Sequence, residues 1–237
     1  MPREILRQAV AGRTLLVFDL DGTLAPIAAS PDTARIRAAT RRLLVSVAAR
    51  YPTVVLTGRD RRDAARMLRA IPLRMIVGNH GLDLGGNGAS RTVASWAQQL
   101  RVHRRALVGV NVERKKLSLT AHYRGVKDPA AARRRVLRVM GSLIPAPRIV
   151  SGKASVNVLP DIGLDKGTAL RKLIRYFRAR STVYVGDDAT DEDAFVAGEA
   201  YSALTVRVGT SSHTAARFSL PTQGQIDALL AYLLVVT

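Results

Sequence analysis

Residues 15–23 read Leu15-Leu16-Val17-Phe18-Asp19-Leu20-Asp21-Gly22-Thr23. An apolar run leads into two aspartates two positions apart, followed by a glycine. A short continuous apolar run suits a parallel strand covered on both faces. On an extended segment Asp19 and Asp21 project to the same side, and Gly22 permits a sharp turn after them. The same design recurs in two places. Val54-Val55-Leu56 leads into Thr57-Gly58-Arg59, and Val183-Tyr184-Val185 leads into Gly186-Asp187-Asp188. Between them, segments 33–50, 61–70 and 166–180 carry apolar residues at three- and four-residue intervals and are predicted helices. Alternating strands and helices predict an α/β fold with a parallel sheet. Ligands of such sheets bind beyond the carboxyl ends of the strands, and all three polar clusters fall at that end.

The middle of the chain has another texture. Val110-Asn111-Val112-Glu113 and the run Leu117 to Tyr123 alternate like half-exposed strands. A basic helix is predicted from Pro129 to Leu143, after a proline suited to a helix start. Arg148-Ile149-Val150 and the run Ala154 to Leu159 then read as two strands joined at Ser151-Gly152-Lys153 by a hairpin turn. This pattern predicts a small α+β domain at 108–161, inserted into a core made of 1–107 and 162–237.

Bulk composition narrows the classes. At 237 residues with 47 % hydrophobic and 23 % charged, the chain has ample material for a core. The lack of cysteine excludes disulfides, thiolate metal sites and cysteine nucleophiles. The first twelve residues carry charges and lack the apolar stretch of a signal peptide. The longest apolar run, Ala228 to Val236, is far short of the roughly 20 residues that span a bilayer and reads as a buried final helix. A cytoplasmic protein with no membrane partner is expected. The formal charge of +19 invites a nucleic-acid reading, but the arginines are dispersed, aromatics are 5 %, and zinc-finger spacing and RNP-like strands are missing. No nucleic-acid partner is expected, and the basic surface is read as solvated and able to attract anionic substrates. Oligomeric state is not legible.

The strand-end residues suit phosphoryl chemistry. A carboxylate nucleophile approaching a phosphate needs a cation to relieve repulsion and a second group to protonate the leaving oxygen. Asp19 and Asp21 supply the pair. Asp187, with Asp191, would complete an oxygen-rich site for Mg²⁺. Thr57 and Lys166 offer a hydroxyl and an ammonium to phosphoryl oxygens. Each element alone has a plain explanation: a turn, a strand end, a solvated lysine, or acidic residues favoured in a first helical turn. Their joint occurrence in this order, with an acidic cluster in so basic a chain, argues for a site.

These segments carry a resemblance. Phe18 to Leu24, Thr57-Gly58-Arg59, Lys166-Gly167 and Gly186 to Asp191 resemble the four motifs of the haloacid dehalogenase (HAD) superfamily. Gly78-Asn79-His80-Gly81, Val112 to Lys115, His122-Tyr123-Arg124 and Thr190 to Phe195 are similar to trehalose-6-phosphate phosphatases. The resemblance implies a HAD-like Rossmannoid core with an inserted α+β cap domain closing over a sugar. It implies Asp19 as nucleophile, Asp21 as general acid and base, and Thr57, Gly58 and Lys166 as phosphate-binding residues. It implies Mg²⁺ held by Asp19, the backbone carbonyl of Asp21 and Asp187, supported by Asp188 and Asp191. His80, Glu113, Lys115, His122, Arg124 and Asn157 would contact the sugar. The implied activity is hydrolysis of the small-molecule substrate trehalose 6-phosphate through an aspartyl phosphate.

Two positions depart from the family pattern. Asp83 stands where a glutamate is usual after the His-Gly pair, and Asn157 stands where a glutamate is usual before Pro160. The first is shorter by one methylene and the second loses charge while keeping hydrogen-bonding capacity. A phosphatase for another phosphorylated sugar or glycoside is therefore the alternative, and transfer of the phosphoryl group to an acceptor other than water stays open.

Overall fold

The computed structural model describes residues 4, 7, 10, 12–28, 33–85, 88–152 and 154–235. The chain forms two compact units, Met1–Asp83 with Asp165–Thr237 and, between these segments, Leu84–Leu164.

The first unit is built on β1 (Thr14–Phe18), β2 (Thr53–Leu56), β3 (Met75–Val77), β8 (Ser181–Gly186), β9 (Leu204–Val208) and β10 (Phe218–Leu220). They form one parallel sheet in the order β10-β9-β8-β1-β2-β3. Every residue of β1 and β2 is buried, as their unbroken apolar runs require. On one face, Leu16, Phe18, Val55, Val183, Val185 and Val206 share a core with α1 (Ala38–Arg50) and α7 (Ile226–Val235) through Leu44, Val47, Leu229, Leu230 and Leu233. α5 (Lys166–Phe177) and α6 (Ala189–Glu199) pack on each other and on β1 and β8. The short α2 (Arg61–Met67) follows β2.

The predicted helices are present with trimmed ends. The segment 33–50 is helical only from Ala38, 61–70 stops at Met67 before Ala70 at φ +65°, and 166–180 stops at Phe177 before Arg178 at φ +48°. Left-handed residues end helices because the next N–H can then turn back onto the last carbonyls. α7 is the final apolar helix, and no helix of the described residues is long and apolar enough to cross a membrane.

The second unit holds α3 (Ala89–Gln99), β4 (Asn111–Arg114), β5 (Leu119–His122), α4 (Pro129–Gly141), β6 (Pro147–Gly152) and β7 (Ser155–Pro160). The strands are antiparallel in the order β4-β5-β7-β6. Gly152 pairs with Ser155 across the expected hairpin, whose Lys153 lies outside the described residues. Leu119, Ala121, Val156 and Val158 form the sheet's apolar face and bury against Val93 and Trp96 of α3 and Val136 and Met140 of α4. This packing corrects the expected domain limits. The unit begins at Leu84 rather than 108 and ends at Leu164 rather than 161, because α3 shares its core.

The chain leaves the first unit after Asp83 and returns at Asp165, which caps α5 by accepting the Thr168 N–H at 2.6 Å. The two crossings are neighbours. A Cβ placed on Gly81 would lie 2.7 Å from the Asp165 carbonyl oxygen.

Candidate active site

The expected catalytic residues gather at the carboxyl ends of β1, β2 and β8. Asp19 follows β1, where its N–H donates to the Val185 carbonyl at 2.8 Å, and it is 4 % exposed. Lys166, the first residue of α5 and 2 % exposed, donates from Nζ to Asp19 Oδ1 at 2.7 Å and to Asp191 Oδ1 at 2.7 Å. Burial, reinforced by the charges of Asp191 and Asp187 and opposed by Lys166, raises the Asp19 carboxyl well above its ordinary value. Burial pulls the Lys166 ammonium down, but the charges and hydrogen bonds of Asp19 and Asp191 outweigh it and its pKa is raised.

Asp191 is fully buried and saturated with donors. Its Oδ1 accepts Lys166 Nζ and the Tyr184 hydroxyl at 2.5 Å, and its Oδ2 accepts the N–H groups of Asp187 at 3.0 Å and Asp188 at 2.9 Å. It thus braces the ammonium and the backbone that carries Asp187. Tyr184, which sequence reasoning treated only as a strand residue, is held protonated by its burial and by the Asp191 charge. Asp188 caps α6, accepting the Ala189 N–H at 2.8 Å.

Asp21 meets an unforeseen partner. Arg59 of the Thr57-Gly58-Arg59 segment grips its carboxylate with both arms, Nε to Oδ2 at 2.5 Å and Nη2 to Oδ1 at 2.7 Å. Such a fork fixes the orientation of the carboxylate as well as its position. Gly22, at φ +88°, is dictated by close approach as well as by its turn. A Cβ there would lie 2.0 Å from Asp187 Oδ2. Thr57 is 1 % exposed, and its Oγ accepts the Arg59 N–H at 3.2 Å. Gly58 lies under the His80 imidazole, so that a Cβ would stand 2.4 Å from its Cε1. His80, expected at the sugar, thus also walls the Thr57-Gly58-Arg59 loop, the one expected to bind phosphate.

One oxygen each from Asp19, Asp187 and Asp191 lie within 4.8 Å of one another. An all-oxygen, buried, anionic set fits a hard divalent cation such as Mg²⁺. Asp19 and Asp187 would be the direct ligands of such an ion, since Asp191 already meets four donors. This carries a pH prediction. A carboxyl whose pKa is raised in the folded chain retains its proton longer there than when unfolded, so stability is lost as pH rises from its ordinary value through the raised one. A cation at Asp19 reverses that loss and competes with the proton. Mg²⁺ should raise the melting temperature of metal-free protein more at about pH 7.5 than at about pH 5, with the difference gone in Asp19→Asn. An equal increment at both pH values would contradict it.

In the second unit, the sheet face opposite the apolar core is polar. Register places Glu113, Thr120 and Asn157 side by side, with Asn111, His122 and Ser155 in the next row. His122 Nε2 lies 2.9 Å from Glu113 Oε2, and Lys115 Nζ lies 3.9 Å from the same oxygen. Thr120 Oγ donates to Asn157 Oδ1 at 3.1 Å. Glu113, Lys115, His122 and Asn157 thus share one face, with Thr120 as a member the sequence did not signal. Arg124 is exposed at the turn after β5, and Tyr123 of the same motif is buried in the core.

The model of the family Trehalose-phosphatase matches residues 17–223. The chain belongs to the trehalose-phosphatase family. It is 36 % identical over 208 residues to a trehalose-phosphate phosphatase of Mycolicibacterium paratuberculosis, covering 78 % of this chain and 52 % of that protein. It is 29 % identical over 258 residues to trehalose-phosphate phosphatase B of Arabidopsis thaliana, covering 96 % of this chain and 68 % of that protein. The chain thus spans about half the length of the mycobacterial relative. Among solved structures, the C-terminal domain of the C. albicans trehalose-6-phosphate phosphatase shares the fold at a TM-score of 0.86 and 22 % identity, over 100 % of this chain and 98 % of that one. A trehalose-6-phosphate phosphatase related protein matches at 0.73 and 26 % identity, over 94 % and 97 %. A sugar phosphatase described as HAD subclass IIB shares the fold at a TM-score of 0.62 and 16 % identity, over 94 % of this chain and 100 % of that one.

Proposed function

We propose that this protein is a cytoplasmic, Mg²⁺-dependent phosphatase that hydrolyses trehalose 6-phosphate to trehalose and phosphate. The observation that carries the chemistry is the buried Asp19–Lys166–Asp191 bridge beside Asp187 at the strand ends. The family membership carries the substrate.

In the proposed reaction an Asp19 oxygen attacks phosphorus, the bond from phosphorus to the sugar oxygen breaks, and Asp21 delivers a proton to that oxygen. Water then attacks the aspartyl phosphate while Asp21 takes its proton, and phosphate leaves with Asp19 restored. Thr57, the Gly58 backbone and Lys166 hold the phosphoryl oxygens through both halves. Asp19, Asp187 and the Asp21 carbonyl would hold the ion, braced by Asp188 and Asp191. When bound, Mg²⁺ neutralises phosphoryl charge so that a carboxylate can approach. His80, Glu113, Lys115, His122, Arg124 and Asn157 are assigned to the sugar.

The second reading is a phosphatase for a different phosphorylated sugar. It is favoured by the neutral Asn157, whose carbonyl oxygen accepts from Thr120. Phosphate release with Mg²⁺ across a panel of sugar phosphates separates the two. Trehalose 6-phosphate should give the highest kcat/KM. A poor rate on it beside brisk turnover of another panel member would transfer the substrate assignment while leaving the chemistry in place. A change in rank order in Asn157→Glu would identify that position as the selector.

A further inference from the structure

Asp83, the shortened residue of the His80 motif, turns its carboxylate back into its own loop. Oδ2 accepts the Gly78 N–H at 2.8 Å, and Oδ1 accepts Asn79 Nδ2 at 3.1 Å. The bonds close a turn in which Asn79 and His80 both have positive φ, +52° and +55°. Non-glycine residues stay in that region only where their surroundings hold them.

What the turn grips is the phosphate loop. The Asn79 N–H donates to the Arg59 carbonyl at 2.8 Å and the His80 N–H to the Thr57 carbonyl at 3.0 Å. The His80 ring covers Gly58, and a Cβ on Gly78 would stand 2.7 Å from the Arg59 carbonyl. The 78–83 turn therefore holds the Thr57 and Arg59 carbonyls and covers Gly58, while the Thr57 N–H is held by the Val77 carbonyl at 2.9 Å. From that backbone come the Thr57 hydroxyl and the guanidinium that grips Asp21. A glutamate at 83 would carry its carboxylate one methylene too far for the same pair of short-range bonds.

We propose that Asp83 is a positioning residue: by closing the 78–83 turn it fixes the Thr57-Gly58-Arg59 backbone and, through it, the groups that hold the phosphoryl oxygens and orient Asp21. The catalytic half of this inference rests on the phosphatase reading above; the structural half does not.

The test has two arms. In hydrogen–deuterium exchange of the metal-free protein, Asp83→Ala should speed exchange of the peptide containing Thr57 to Arg59, while peptides of β8 and α7 are unchanged. Asp83→Asn is the milder variant, should alanine impair folding, and the same pattern is expected from it. Unchanged exchange at Thr57 to Arg59 overturns the proposal whatever the enzyme does. In kinetics on the best panel substrate, kcat should fall about 10- to 100-fold with KM shifted by no more than about 3-fold, as for a misplaced transition-state contact. In a Thr57→Ala background the same change should cost clearly less, because one group it places is gone. Fully additive losses, or a loss equal to the unfolded fraction seen by circular dichroism, would reject the positioning role. A wild-type protein inactive on the whole panel would count against the phosphatase reading, and the exchange arm would still decide the turn.

Discussion

Asp19→Asn is expected to abolish phosphate release, by about 10³-fold or more, with Mg²⁺ present and the protein folded. An amide oxygen is too weak a nucleophile to form the aspartyl phosphate, and the change also removes one of the carboxylates suited to the ion. Folding should survive for a definite reason. Asp19 is buried among Asp187 and Asp191 and is raised well above its ordinary pKa, so its charge is a burden to the metal-free fold. Lys166 keeps Asp191 as a partner at 2.7 Å after the exchange. The metal-free variant should therefore melt no lower than the parent, and Mg²⁺ should add little to it. Turnover near the parental rate would reject covalent catalysis by Asp19.

Lys166→Met should be damaging in both respects. The ammonium lies between two carboxylates that are 4 % and 0 % exposed, and methionine would leave both buried beside Asp187 without their cation. Removing one member of a buried charged set costs about 3–5 kcal/mol. For a chain of this size that corresponds to a fall of roughly 6–20 °C in melting temperature. Activity should drop by about 10²–10³-fold, the scale of losing one preorganised donor to developing charge. Calorimetry of the metal-free variant checks the first effect. A melting temperature within a degree of the parent would mean that the three charges are not bound together as described.

Much of this site was readable before any coordinates, because parallel strands buried on both faces leave contiguous apolar runs and ligand groups sit where those runs end. Asp19, Thr57 and Asp187 were located that way. Side chains that act sideways were not readable. Tyr184 lies inside an apolar run, and nothing in its neighbours signals a hydroxyl aimed at Asp191. Arg59 is legible in the sequence only as the third residue of the Thr57-Gly58-Arg59 segment, and its grip on Asp21 spans 38 positions of chain. α3 was missed because only Val93 and Trp96 give its polar sequence a large apolar side, although both are fully buried. That omission misplaced the start of the second unit. The edge strand β10 has three residues, too short for any periodicity. The segment after Gly209 also carried no legible motif. It is tied down by Glu192, which accepts Arg207 Nη1 at 2.6 Å and the Ala215 N–H at 2.8 Å.

The adjacency of Gly81 and Asp165 has a consequence for how such chains diversify. An insert whose two ends nearly touch can be cut out and the gap closed with a few residues, since ring closure over so short a span carries a small entropic charge. No strand of the parallel sheet would need rethreading. On the assignments proposed above, substrate preference and hydrolytic chemistry would be separable by a single graft, and foreign recognition modules could be spliced at the same seam.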